Sequence, residues 1–138
     1  MKLSSRKPVT LGEQRRNQRQ YDRDHAPTLR ATFPQIATLQ IELIFSDRTG
    51  MAPSSQSHAM FPAARAFFRF ACPCFDCDGE FDLSTNVTTL AAGAKPASRT
   101  AASQLSCQGM RSRDRITGAR CPIALDWRIV MTRAEGAA

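Results

Sequence analysis

The sequence predicts an α+β fold that is mainly β: a small antiparallel sheet with a C-terminal hairpin and one short helix. Three observations carry this expectation. Two stretches alternate apolar and polar residues with a period of two, the mark of a half-buried strand. Leu39, Ile41, Leu43 and Phe45 share one face of residues 38–46, while Cys121, Ile123, Leu125, Trp127, Ile129 and Met131 share one face of residues 121–131. Between them, a single segment after Ser84 carries helix signals, and all five cysteines fall in the second half, where they can staple a core of modest size.

Composition bounds the rest. At 138 residues, with 42% hydrophobic and 22% charged residues, the chain matches a globular protein of one domain. The net charge of +7 is uneven: residues 1–30 hold eight basic against three acidic groups, and the remaining 108 residues hold eleven against nine. A basic arm of this kind attracts nucleic acid or an acidic protein surface. The N-terminus lacks the apolar core of a signal peptide, and no stretch approaches the roughly 18 apolar residues of a membrane span. The expectation is a soluble cytoplasmic protein without membrane contact. In that compartment clustered cysteines serve metals or redox chemistry more often than disulfides, and an odd count argues against a fully paired framework.

In chain order, Thr10-Leu11-Gly12-Glu13 has the pattern of a capping box. The residues after it are helix formers with almost no apolar stripe, and such a helix is marginal alone. Residues 1–33 are therefore set apart as a basic arm, largely disordered or helical only on a partner. Pro27 and Pro34 bracket an extended link to the 38–46 strand; Asp47-Arg48-Thr49-Gly50 has turn chemistry, and residues 53–58 read as an irregular loop. Aromatic residues 65–71 predict a second strand, running directly into Cys72. Glu80–Leu83 is a short alternating segment, Ser84 or Thr85 caps a helix through Val87, Leu90 and Ala91, and Gly93 stops it. Residues 94–103 resemble a linker. The final hairpin has Gln104–Cys107 as its first arm, 110–118 as its tip and 121–131 as its return. Pro122 has no N–H, so the return arm is an edge strand or pairs only beyond that residue. The domain runs from 34 to 132, with a frayed tail over 133–138.

The chemistry sits in the cysteines. Cys74-Phe75-Asp76-Cys77 is a C-x2-C pair, with Gly79 permitting a tight turn, and a hairpin between Cys107 and Cys121 brings those two thiols together at its base. Zinc takes four such soft ligands in a tetrahedron, commonly as two pairs from two turns. The spacing resembles a zinc ribbon with an enlarged second knuckle, over residues 66–131, and departs from the usual pattern of C-x2-C in both knuckles. The resemblance implies a zinc-ribbon-like hairpin and a structural site, since four thiolates leave no position for substrate or water. The ligands read as Cys74, Cys77, Cys107 and Cys121, with Cys72 the alternative to Cys74. Two other readings of the thiols compete: reduced cysteines packing as small hydrophobes, or a redox pair at Cys74 and Cys77, which lacks the βαβ setting of thioredoxins.

Other motifs are weaker. Asp76, Asp78, Glu80 and Asp82 suggest a calcium loop, but aligning Gly79 as its glycine places Cys74 and Thr85 where Asp and Glu are required. They read as solvent-facing carboxylates beside a knuckle. His25 and His58 read as surface histidines, with His58 the better substitute for a thiolate. No phosphate loop or nucleophile–base set is present, so no enzyme and no small-molecule substrate are expected. Arg111, Arg113, Arg115 and Arg120 on the hairpin loop, with Arg15, Arg16 and Arg19 on the arm, suit phosphate contacts. Phe67, Phe68 and Phe70 can stack bases but on a strand are expected in the core. The leading reading is a non-catalytic zinc module that binds nucleic acid through arm and loop. The alternatives are a protein-interaction adaptor whose arm folds on an acidic partner and, more distantly, a thiol-redox protein.

Overall fold

A computed structural model of the chain describes residues 11–47, 54–74, 77–93, 98–111 and 118–134. The long alternating stretches form the two central strands of an antiparallel four-stranded sheet. Strand β1 (Ile36–Asp47) pairs with β6 (Ile123–Arg133), β2 (Ser54–Met60) flanks β1, and β5 (Ser98–Ser106) flanks β6, giving the order β2-β1-β6-β5. The register sets apolar residues directly opposite one another: Leu39 faces Met131, Ile41 faces Ile129, Leu43 faces Trp127 and Phe45 faces Leu125. All eight side chains are buried. Full burial of each large aliphatic or aromatic side chain stabilises by about 1.5–3 kcal/mol, so this ladder is the main apolar term of the fold. The opposite face carries Gln40, Glu42 and Arg128 to solvent, as an antiparallel sheet with one covered face permits.

A second layer covers the apolar face. It contains the short hairpin of β3 (Arg69–Ala71) and β4 (Glu80–Asp82), and helix α3 (Ser84–Ala92). Phe68, Phe70, Phe81, Leu83, Val87 and Leu90 join the sheet residues in one core cluster. Phe67 is buried as well, so the three aromatic residues 67, 68 and 70 are in the core, as expected. The α+β, mainly β class is the architecture observed.

Local expectations met the structure unevenly. Pairing of β6 begins at Ile123, just beyond Pro122, and the strand is central rather than an edge. Most of the segment read as an irregular loop, 53–58, belongs to edge strand β2, which runs on to Met60; its polar Ser54–Ser57 run gives no apolar alternation because both faces are exposed. The first hairpin arm is longer than expected, with β5 starting at Ser98 inside the segment read as linker. Helix α3 ends at Gly93, but its first turn is capped by Asp82, whose Oδ1 accepts from the Ser84 backbone N–H (2.9 Å) and hydroxyl (2.5 Å). Thr10 of the capping box and the turn at 48–50 lie outside the described residues.

The largest departure concerns the arm. Residues 11–33 form α1 (Leu11–Asp24) and the single-turn α2 (Leu29–Thr32), and both contact the domain. Leu29 is fully buried in the core, its N–H donating to the Ala64 carbonyl (2.7 Å). Helix α1 lacks an apolar stripe and is held by charge. Arg19, 6% exposed, donates through Nε to Glu80 Oε2 (3.0 Å), and Arg69 bridges Asp22 (2.8 Å) and Glu80 (3.1 Å). Arg23 and Arg69 both lie over the Phe67 ring, at 5.2 and 5.3 Å. A helix without apolar spacing docks here because the domain supplies matched carboxylates and an aromatic face.

Candidate metal centre

The second-layer hairpin and the β5–β6 hairpin point their loops at each other. Cys72 follows β3 and Cys77 precedes β4; Cys107 follows β5 and Cys121 precedes β6. Backbone bonds lock each loop: Cys72 N–H donates to Gly79 O (3.1 Å), Cys107 N–H to Ile123 O (2.9 Å) and Cys121 N–H to Gly109 O (3.0 Å). The loops also pair with one another, through a bridge between Cys77 and Arg111 and a bond from Met110 N–H to Asp78 Oδ1 (2.9 Å). Gly79 and Gly109 meet where the loops cross. A Cβ on Gly79 would overlap Cys107 Sγ, and one on Gly109 would overlap the Gly79 backbone, so both positions need glycine for close approach.

This clasp brings four sulfurs together. The Sγ atoms of Cys72, Cys77, Cys107 and Cys121 all lie within 4.8 Å of one another, and all four residues are buried. The sulfurs of Cys77 and Cys107 stand 3.5 Å apart and those of Cys72 and Cys121 3.8 Å apart. These exceed a disulfide bond of about 2.05 Å, and the cysteines are free. They match a tetrahedral thiolate site instead: metal–sulfur bonds of about 2.3 Å imply sulfur–sulfur edges of about 3.8 Å. Cys74, favoured as a ligand on its C-x2-C spacing, stands outside the quartet, and Cys72 occupies that place.

The backbone is arranged for thiolates. Gly79 N–H donates to Cys77 Sγ and Gly109 N–H to Cys107 Sγ, each at 3.3 Å. The backbone N–H groups of Cys74 and Ile123 likewise act on Cys72 and Cys121 and favour their charged forms. Each of the four sulfurs thus receives an N–H from two residues downstream, the outer-shell support that metal thiolates need. Without a metal the four sulfurs share protons unequally. Donation from the Cys72 thiol, with further N–H and S–H donors, lowers Cys107 to about 6. Cys72 is raised well above the usual thiol range, first by its bond to Cys107 and then by burial. Burial also raises Cys77, and lifts Cys121 to about 11.

The pattern has a sequence counterpart that the spacing argument passed over. Cys72 and Cys121 are each followed by proline, while Cys77 and Cys107 each open a C-x-G triplet. The members of each like pair are in sulfur–sulfur contact, at 3.8 and 3.5 Å. The proline after Cys72 marks it, rather than Cys74, as the counterpart of Cys121.

The remaining candidates fall into three groups. Arg15 and Arg16 are exposed on α1, and Arg120 is exposed with its Nη1 donating to Gln108 O (2.6 Å). Arg19 is taken by Glu80, and Arg111 bridges Cys77 through its backbone. Arg113 and Arg115 lie outside the described residues. The acidic residues near the cluster have partners: Asp78 accepts from Met110, Glu80 from two arginines and Asp82 from Ser84. Both histidines pack on aromatic rings outside the quartet, His25 stacked on Tyr21 and His58 tilted against Phe70.

Fold and site together define a small α+β domain with four cysteines positioned to bind a metal ion. No protein family, curated protein or solved structure matches the chain. Among the described residues, no helix is long and apolar enough to cross a membrane.

Proposed function

We propose that this protein is a non-catalytic module stapled by one zinc ion, with a basic surface that binds nucleic acid. The observation that carries the first part is the quartet of buried sulfurs, each supported by a backbone N–H. Four thiolates fill a tetrahedral sphere and leave no site for substrate, so the ion closes the fold and performs no chemistry. Zinc, rather than iron, would leave the protein colourless and permit cobalt replacement. Elemental analysis of the purified chain tests this: about one zinc per chain supports the reading, and a metal-free, folded protein overturns it.

The nucleic-acid part rests on exposed charge near the clasp. Arg15 lines a cleft with Gly79 and Gly109, Arg16 is exposed on the same helix, and Arg120 flanks Cys121. Arg111, Arg113 and Arg115 belong to the same loop in sequence. Phosphate contacts of this type are independent of sequence and weaken steeply with salt. Binding to generic DNA or RNA that declines on a log–log salt plot is the expected result. Absence of binding at low salt rejects nucleic acid and leaves the adaptor reading, in which the same surface meets an acidic protein.

A further inference from the structure

A cleft of about 270 Å³, lined by none of the cysteines, opens between α1 and edge strand β2. Arg23 of α1 and Arg65, just before β3, stand on its walls; His58, Met60, Phe67 and Phe70 form its apolar surface. Its charge is unbalanced. Asp22 and Glu80 are engaged by Arg69 and Arg19, and Asp24 accepts from Gln20 (2.8 Å). Among the described residues no carboxylate lines the cleft, and neither Arg23 nor Arg65 is ion-paired. Arg65 Nη1 donates to the Ala26 carbonyl (2.8 Å), which fixes the guanidinium at the rim. His58 is tilted over Phe70 at 5.0 Å with Nε2 beside Gln56 Oε1 (3.0 Å). Burial, then the charge of Arg23, lowers its pKa, so the imidazole is neutral at pH 7. Two cations above an apolar wall suit an anion with a flat, weakly polar body. Guanidinium groups match phosphate oxygens in pairs, and rings stack on bases. The volume lies at the small end for ligand sites, enough for a single unit.

We propose that this cleft binds one nucleotide, its phosphate between Arg23 and Arg65 and its base against His58, Met60 and Phe70. The nucleotide is either free or one unit of a single strand; the second source rests on the nucleic-acid reading above. The test uses the zinc-loaded full chain, NMR signals of the His58 and Phe70 rings, and four probes: AMP, adenosine, inorganic phosphate and a short oligo(dA). AMP shifts both rings, and adenosine or phosphate alone binds at least about tenfold more weakly. Arg23→Ala with Arg65→Ala weakens AMP at least about tenfold, with zinc content and thermal midpoint as the folding check. Arg65→Gln, which keeps donors but not charge, serves if the double variant is unstable. No ring shift at millimolar AMP, or equal binding by wild type and variants, overturns the cleft even if oligo(dA) binds elsewhere. AMP binding without oligo(dA) binding keeps it as a free-nucleotide site and counts against the single-strand source.

Discussion

Replacing Cys72 and Cys74 separately by serine gives the sharpest test of the clasp. Cys72 Sγ stands 3.8 Å from Cys121 Sγ inside the buried quartet, whereas Cys74 is outside it and acts on Cys72 through its backbone N–H. Structural zinc in small domains binds with roughly 10–16 kcal/mol, shared among four ligands. Loss of one thiolate therefore costs about 3 kcal/mol or more, two or more decades in affinity. That is a large fraction of the 5–15 kcal/mol stability of a typical domain, so Cys72→Ser is expected to unfold at markedly lower temperature. Cys74→Ser keeps the backbone donor and one polar atom of similar size, and is expected to change affinity by less than about 1 kcal/mol. Competition of each variant against a chromophoric chelator gives the affinities, and cobalt substitution reports how many thiolates bind. If Cys74→Ser weakens zinc as much as Cys72→Ser does, the geometric assignment of the fourth ligand is refuted.

Further outcomes follow from the same structure. Gly79→Ala or Gly109→Ala inserts a methyl between the crossed loops and is expected to cost about 1–3 kcal/mol, read from thermal midpoints in saturating zinc. Zinc uptake near pH 8 releases about three protons, because Cys107 is lowered to about 6 while Cys72, Cys77 and Cys121 are raised; calorimetry in buffers of different ionisation enthalpy counts them, and affinity falls as the pH is lowered. Bonding to Arg69, then to Gln18, holds the Asp22 carboxyl below its ordinary value. Its contribution to α1 docking is therefore complete above the unfolded carboxylate pKa and is lost as pH falls through the lowered one; amide exchange in α1 measures this. Arg19→Ala lowers the thermal midpoint by removing one of the two arginine partners of Glu80, the one that ties α1 to β4, while Arg16→Ala leaves it unchanged and reduces the salt slope of nucleic-acid binding by about one.

Wherever a rule of short range decides the structure, the residues announce it. The period of two in 38–46 and 121–131 identified the buried faces of β1 and β6, because pleating alone sends alternate side chains to one side. Gly93 marked the end of α3, and the thiols at 77, 107 and 121 lie together in the quartet. What lay beyond reach required partners distant in sequence. β2 is a strand because β1 offers it an edge, not because Ser54–Met60 has strand character. Cys72 displaces Cys74 because the two crossed loops place its sulfur 3.8 Å from Cys121, 49 residues away. Helix α1 docks because Arg19 finds Glu80 and Asp22 finds Arg69, 61 and 47 residues distant. Hydrophobic alternation and turn chemistry are local properties of the chain. Charge pairing, edge completion and the choice among neighbouring thiols depend on distances that exist only once the sheet and its second layer have closed.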